Sequence, residues 1–311
     1  MRDIGKFILM RSRGLDAHRN QAAEAALFDT VAAQPGTLAL YLWANDNAVF
    51  IGRHQNAYLE CDIPRLEADG GKLARRITGG GAVYHDKGNV NYSFVAHIGV
   101  YDEQRQFGWV TSALRGLGID AQKTGRNDIS AAGRKFSGNA FHRDSSAGLH
   151  HGTILICSDP AKISAYLTAS KMKLQSKNIA SIPQRIINLN EINPAITKAD
   201  VFAALVETVR QSAGIAPEEI TEDDLDQNIL RERLRFCADK TRVYGTDTRY
   251  DARLEHRFAW GSADIRLKLE KNKIIKALIY SDCLDTNLTA RKERDLTGAD
   301  INDVVRIIAD C

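Results

Sequence analysis

The sequence predicts an α+β protein of two parts, a larger domain over residues 1–245 and a small accessory domain over residues 250–311. Three observations carry that prediction. Segments with a two-residue apolar period are interspersed with segments at helical spacing along the first 215 residues. An acidic, proline-containing break, "APEEITEDDLDQ" (216–227), follows a well-formed amphipathic helix and reads as a solvated helix entry. From about residue 250 a compact alternating group begins, turns at "EKNK" and ends in the helical pattern "ADINDVVRIIADC". A chain of 311 residues is long enough for one large core plus a second, smaller one.

In chain order, "NQAAEAALFDTVAA" (20–33) places apolar residues at helical spacing and predicts an amphipathic helix. "LALYLWAN" (38–45) and "AVFIGRH" (48–54) predict two paired strands, because the "NDN" between them has a tight-turn composition. "GNVNYSFVAHI" (88–98) alternates as a strand. "FGWVTSALRGLG" (107–118) predicts a helix closed by a glycine cap. "GLHHGTILICS" (148–158) predicts a strand, followed by a helix near 160–169, and "KADVFAALVETVRQSAG" (198–214) a long helix.

Bulk composition narrows the function classes. Hydrophobic residues make up 44% and charged residues 26%, as in an ordinary globular protein. A formal net charge of +3 gives no electrostatic case for nucleic acid or a membrane surface. The five cysteines (Cys61, Cys157, Cys237, Cys283 and Cys311) form no CxxC pair and no zinc-spaced cluster, so no metal site is expected. Scattered thiols and an N-terminus with only a four-residue apolar stretch lead to a cytoplasmic expectation.

The stretch "RRITGGGAVYHDKGN" (75–89) is the first candidate site. Three glycines in a row are costly in backbone entropy, so they mark either a turn that excludes side chains or a close approach to the backbone. The Walker A pattern and G-x-G-x-x-G are both absent, but successive amides can form an anion nest, and Arg75 and Arg76 adjoin it. The second candidate is "TGRNDISAAGRKFSGNA" (124–140). Asn127 and Asp128 suit a ribose hydroxyl, an amide or a hydrated magnesium ion, and Lys135 is followed by the small Ser137 and Gly138. The double histidine of "LHHGTILI" (149–156) lacks further ligands for zinc and is expected to pack or hydrogen-bond. Without more, these residues suggest nucleotide or acyl-phosphate chemistry and name no substrate.

The stretches "VFIGRHQN", "LARRITGGGAVYHDKGN", "GRND", "GRKFSGNA", "HHGTILI", "SKNIASIPQRIINL" and "HRFAWGSADIRLKLEKNKI" occur in the order and approximate spacing of the lipoate–protein ligases, which the chain resembles over nearly its whole length. It departs at Thr78, where serine is common in the family. The resemblance implies a mixed β-sheet catalytic domain of the biotin/lipoate ligase type with a small C-terminal accessory domain. It implies ATP and lipoate as substrates, Mg2+ as helper ion, and a two-step reaction through lipoyl-AMP. Arg76, Gly81, Ala82, Val83, Tyr84, Asn127, Asp128 and Lys135 match the ATP-contacting positions, with Lys135 in the catalytic role. Lys135, Arg76, Gly138, Ala140 and His151 match positions along the lipoate. Asp128 is expected either to place magnesium or to accept a proton, and His85 to be a wall residue. The implied partners are apo lipoyl domains of 2-oxoacid dehydrogenase E2 subunits and the glycine-cleavage H protein, met by a monomer. Two rivals remain on sequence grounds: an octanoyl or lipoyl transferase working through a thioester, for which Cys157 is the nearest thiol, and a non-enzymatic binder of lipoyl-AMP.

Overall fold

The computed structural model describes residues 3–168, 185–245, 250–270 and 272–309. Strand β1 (Lys6–Arg11) runs parallel to β2 (Thr37–Trp43), so the chain crosses over between them through helix α1 (Ala17–Ala32). The Asp16 side chain caps α1 by accepting from the Arg19 amide. After β2 the chain leaves this sheet. Strands β3 (Ala48–Ile51), β4 (Lys72–Arg75) and β5 (Val83–His85) form a second sheet in the order β4-β3-β5, with short helices α2 (Ala57–Glu60) and α3 (Ile63–Ala68) between β3 and β4. It returns in β6 (Asn89–His97), followed by α4 (Glu103–Gly116), β7 (Gln122–Thr124), β8 (Asp128–Ala131), β9 (Arg134–Arg143), β10 (Ala147–Leu155) and α5 (Pro160–Tyr166). Helix α6 (Lys198–Ala213), the short edge strand β11 (Glu218–Ile220) and helices α7 (Gln227–Ala238) and α8 (Lys240–Tyr244) complete this part. The main sheet has eight strands, in the order β11-β1-β2-β6-β10-β9-β8-β7.

Both faces of its centre are covered. Phe7, Leu9, Leu40 and Phe94 join one apolar cluster with residues of α4 and α6. The intervening Ile8, Met10, Tyr41 and Val95 join another with α1. Alternate residues of a strand point to opposite faces, so every position of β2 is buried.

The expected pairing of β2 with β3 is wrong. The two strands lie in different sheets, and the "NDN" segment is a crossing between them rather than a hairpin turn. Asn45 in that crossing is buried and hydrogen-bonded to Asn20 and His85, and Asn47 adopts φ 44° while its carbonyl accepts from the Lys72 amide of β4. With β2 and β3 both buried on two faces, their apolar patterns hold no register information.

The C-terminal residues form a three-stranded antiparallel sheet of β12 (Ala252–Phe258), β13 (Gly261–Glu270) and β14 (Lys273–Ser281), backed by α9 (Leu288–Leu296) and α10 (Val304–Ala309). They share an apolar cluster that includes Ile265, Leu267, Ile279, Leu296 and Ile308. The expected hairpin at "EKNK" is present as β13–β14, whereas α9 was not anticipated. This unit closes on the larger part at defined points. The Gly80 amide donates to Cys283 O at 3.0 Å, the Ser281 amide to His54 O at 2.8 Å, and Arg126 to Ala259 O at 2.8 Å. Among the described residues no helix is long and apolar enough to cross a membrane.

Candidate active site

A cavity of about 580 Å³ opens where the main sheet, the second sheet and the C-terminal unit meet. A single row of the main sheet forms its floor. Trp43 of β2 pairs with Asn91 of β6, which pairs with Thr153 of β10. The Gly138 amide of β9 donates to Thr153 Oγ1 at 3.1 Å, and Gly138 pairs with Asp128 of β8. All five line the cavity. Four inter-strand steps of about 4.8 Å put its two ends about 19 Å apart.

The β8–β9 end is ionic. Lys135 Nζ lies 2.6 Å from Asp128 Oδ1, and Arg185 lies 2.5 Å from Asp128 Oδ2. The Lys135 and Asp128 side chains are 22% and 19% exposed, so the group is largely withdrawn from water yet reachable. Burial pulls Lys135 below its ordinary pKa, Asp128 opposes that, and Arg185 adds to it. A Cβ on Gly138 would meet Lys135 Nζ at 2.7 Å, so a side chain there would displace the ammonium from its present position. Asn127 Nδ2 donates to Asn139 O at 2.7 Å, fixing the turn that carries Asp128.

The glycine loop lines the same cavity through Gly80, Gly81 and Ala82. Arg76 is buried with its donors committed to carbonyls: Nη2 donates to Gly79 O at 2.8 Å and Gly81 O at 2.7 Å, Nε to Gly79 O at 3.1 Å, and Nη1 to Phe50 O at 3.2 Å. Burial lowers its pKa to about 10. Arg75 is turned away and braces the second sheet against carbonyls of Gly52, Gln55 and Val243. A Cβ on Gly79 would lie 2.1 Å from Cys283 O, and one on Gly52 2.1 Å from Gly80 O. Gly80 has φ 92°, open to glycine at no steric cost. Gly81 alone has nothing within 4 Å of the place its Cβ would take. Of the three consecutive glycines, Gly79 therefore admits the backbone of the C-terminal unit, while Gly80 provides the left-handed turn.

The β2 end is more apolar, with Trp43 and Phe50 in the wall. Behind it runs a fixed relay. Thr78 Oγ1 lies 2.9 Å from His151 Nε2, His151 Nδ1 2.9 Å from Glu24, Ser93 donates to Glu24 at 2.5 Å, and Trp43 donates to Ser93 at 2.8 Å. His151 is thus a braced wall residue. Its neighbour His150 points to the other face, among Phe94, Phe107 and Phe141. His85 stacks on Phe50 at 4.5 Å, and burial pushes its pKa down to about 3.

Every residue matched to the site from the sequence lines this one cavity: Arg76, Gly81, Ala82, Val83, Tyr84, Asn127, Asp128, Lys135, Gly138, Ala140 and His151. Cys157 is exposed and is not among the lining residues. Most of the "SKNIASIPQRIINL" stretch lies outside the described residues, but Arg185 within it belongs to the ionic end. The sequence reading also missed Gln21, Glu24, Trp43 and the C-terminal Arg257, Trp260, Asp282 and Leu284. Arg126, inside the quoted "GRND", was legible and not singled out. Among the described residues no group of three or more His, Cys, Asp or Glu is arranged to hold a metal ion.

Comparison with known proteins gives this site a family. A family model described as the lipoyl protein ligase A/B catalytic domain matches residues 16–210, and one described as the bacterial lipoate protein ligase C-terminus matches residues 247–306. A curated lipoate-protein ligase A from Psychrobacter cryohalolentis is 36% identical over 291 residues, 91% of this chain and 85% of its own length. P. falciparum LipL1, crystallised in complex with lipoate, superposes with a TM-score of 0.85 at 27% identity, covering 98% of this chain and 94% of that one. A lipoate-protein ligase A bound with ATP gives 0.66 at 25% identity over 78% of this chain and 99% of that chain. The bipartite lipoate protein ligase of Thermoplasma acidophilum, studied with its E2 lipoyl domain, gives 0.68 at 27% identity over 81% of this chain and 100% of that chain. Matched along both its units and over nearly all its length, the chain belongs to the lipoate–protein ligase family.

Proposed function

We propose that this protein is an ATP-dependent lipoate–protein ligase whose chemistry takes place beside Lys135. In the first step a lipoate carboxylate oxygen attacks the α-phosphorus of ATP, the bond to the bridging oxygen breaks, and pyrophosphate leaves. In the second, a lysine amine of a lipoyl-accepting domain attacks the acyl carbon, AMP departs with the anhydride oxygen, and the amine proton passes to solvent. The observation that carries this reading is the Lys135–Asp128–Arg185 group at one end of a row that runs about 19 Å across the sheet toward Trp43. That length suits an acyl chain joined to a nucleotide, with the acyl part over the apolar end and the phosphate at the ionic end.

The residue roles follow from this placement. A carboxylate and a triphosphate repel one another, so fixed positive charge at their meeting point lowers the barrier. Lys135 supplies it as a point charge to the phosphorus oxygens and then to the carbonyl oxyanion. Arg76 acts differently from a direct phosphate clamp. Its fork holds the carbonyls of Gly79 and Gly81, which turns the loop and leaves its positive field beneath Gly81, Ala82, Val83 and Tyr84. Asn127 and Gly138 shape the floor, while Ala140 and His151 form the wall along the acyl chain. Mg2+ fits best as an ion brought in on the phosphates, because Asp128 already serves two cations.

Residues 1–245 would then form the catalytic domain and residues 250–311 an accessory domain that roofs the cavity. The acceptors would be lipoyl domains, among them E2 subunits and the H protein, and the enzyme a cytoplasmic monomer. A thioester mechanism is disfavoured by the position of Cys157 outside the cavity lining. The test is an assay with ATP, lipoate and a purified apo lipoyl domain. Lipoate-dependent pyrophosphate release and a lipoyl mass increment on the acceptor are expected, and absence of both would reject the reading.

A further inference from the structure

Beside the apolar cluster of Phe94, Phe107 and Trp109 runs a buried polar chain that the reaction does not use directly. Gln106 of α4, His150 of β10, Tyr92 of β6 and Asn139 of β9 are each at most 3% exposed. Asn139 is the junction. Its Nδ2 donates to Asn127 O at 3.1 Å, so Oδ1 is the end that faces Tyr92 and His150. The Tyr92 hydroxyl donates to Oδ1, and His150 Nε2 donates to it at 2.9 Å. Burial keeps the His150 ring neutral, so Nδ1 is an acceptor, and the Gln106 amide 3.2 Å away serves it by its N–H end. Gly152 makes the room, since a Cβ there would lie 2.4 Å from the Tyr92 hydroxyl oxygen and 2.5 Å from Asn139 Oδ1. A buried chain of this kind is costly unless its members are paired, and once paired it stiffens what it touches.

What it touches is the register of β8 on β9. Asp128 pairs with Gly138 and Ile129 with Ser137, but Ser130 pairs with Lys135, so Phe136 is an extra residue in β9. Side chains alternate between faces along a strand, and an unbroken β9 would turn Lys135 away from the face that carries Asp128. The extra residue re-aims it, and Lys135 Nζ reaches Asp128 Oδ1. One position beyond the Asp128–Gly138 pair, Asn139 clamps the turn. Its amide donates to Asn127 O at 2.8 Å, its Nδ2 donates to the same oxygen, and Asn127 Nδ2 donates back to Asn139 O at 2.7 Å.

We propose that His150, which lies outside the cavity lining, is a positioning residue for Lys135: it fixes Asn139, and Asn139 fixes the bulged register that turns Lys135 toward the substrates. The inference rests on the ligase reading and adds to it a residue that touches neither substrate. Without the Nε2 donor, the Asn139 amide is free to turn and the Asn127–Asp128 turn loosens. Misplacement of a reacting group by about 1 Å costs up to about 100-fold in rate.

The test measures kcat and KM for lipoate-dependent pyrophosphate release across the alkaline limb, with urea unfolding in parallel, in wild type, His150→Phe and His150→Gln. Phenylalanine keeps an aromatic ring among Phe94, Phe107 and Phe141 but donates nothing. It is expected to lower kcat about 10- to 100-fold while the KM values for ATP and lipoate stay within about threefold. The charges that bear on Lys135 are Asp128, Arg185 and Arg76. Loosening Asp128 among them is expected to move the alkaline limb to lower pH. Glutamine can place an N–H where Nε2 stood and is expected to restore kcat to within about threefold of wild type and return the limb. Where His150→Phe does not fold, Tyr92→Phe removes the other donor to Asn139 and is expected to shift kcat and the limb in the same direction. A folded His150→Phe, or in its place Tyr92→Phe, with wild-type kcat and an unmoved limb would overturn the proposal. Equal losses in His150→Phe and His150→Gln would also overturn it, because packing alone would then explain them. A wild type that releases no pyrophosphate would sink the ligase reading, and the positioning role with it.

Discussion

Asp128 and Lys135 are joined by an ion pair of 2.6 Å at the place where the two substrates are proposed to meet, and the other oxygen of the same carboxylate holds Arg185. The pair faces each other from adjacent antiparallel strands, β8 and β9, whose register shifts between Ile129 and Ser130, close to Asp128. Without a counter-charge, a lysine this withdrawn from water would lose its proton more readily. Asp128 favours the protonated ammonium, and in the proposed reaction phosphate oxygens take its place.

That relation sets a pH dependence. Burial lowers the Lys135 pKa and Asp128 raises it, so Asp128→Asn lowers it further. If Lys135 acts as the proposed cation, activity is expected to fall as pH rises through its pKa. The alkaline limb of pyrophosphate release is expected to move to lower pH in Asp128→Asn. A limb that stays in place in a profile from pH 6 to about 10 would separate Asp128 from the charge state of Lys135.

The glycine loop gives a paired stability prediction. Gly79→Ala puts a methyl 2.1 Å from Cys283 O and forces the C-terminal unit back, which is expected to cost about 1–3 kcal/mol. Gly81→Ala meets nothing within 4 Å and is expected to stay within about 0.5 kcal/mol of wild type. Urea unfolding of the two variants measures the difference, and equal losses would mean that the loop does not bear on Cys283.

Acid stability follows from the buried imidazoles. His85 has a folded-state pKa of about 3 against an ordinary value of 6.5, and burial also lowers His150. Between those values the unfolded chain binds the proton and the folded one does not, so stability rises with pH. The His85 contribution is fully present above about pH 6.5 and is lost progressively as pH falls toward 3, with a slope of up to about 1.4 kcal/mol per unit. His85→Gln is expected to flatten this part of the curve, read by urea unfolding at a series of pH values between 7 and about 4. An unchanged slope would mean that His85 is not held neutral.

Cys157→Ser is expected to keep full ligase activity. Intact-mass measurement of wild type after turnover should find no acyl adduct on the thiol. A stable thioester at Cys157, lost in the serine variant together with activity, would favour the transferase mechanism instead.

Sequence patterning revealed the local elements better than their assembly. The helices α4 and α6 were readable because each has an amphipathic pattern and closes on a left-handed glycine, Gly118 and Gly214. The β2–β3 crossing was unreadable because strands buried on both faces look alike in any pairing. The motif residues that line the cavity could be placed by resemblance. What the sequence could not give was the sense of Arg76, which faces loop carbonyls, or the contribution of Trp260 and Leu284 from a distant segment. Those depend on how the C-terminal unit docks, and no local pattern encodes that.

The most direct test of the central claim is lipoate-dependent ATP–pyrophosphate exchange in Lys135→Ala, alongside lipoate binding to the same variant. Exchange is expected to fall about 100- to 1,000-fold, as for loss of one preorganised charge-stabilising donor, with a retained fold and binding weakened far less. Exchange at the wild-type rate would contradict the account, because the ionic end of the cavity would then have no part in joining the acid to the nucleotide.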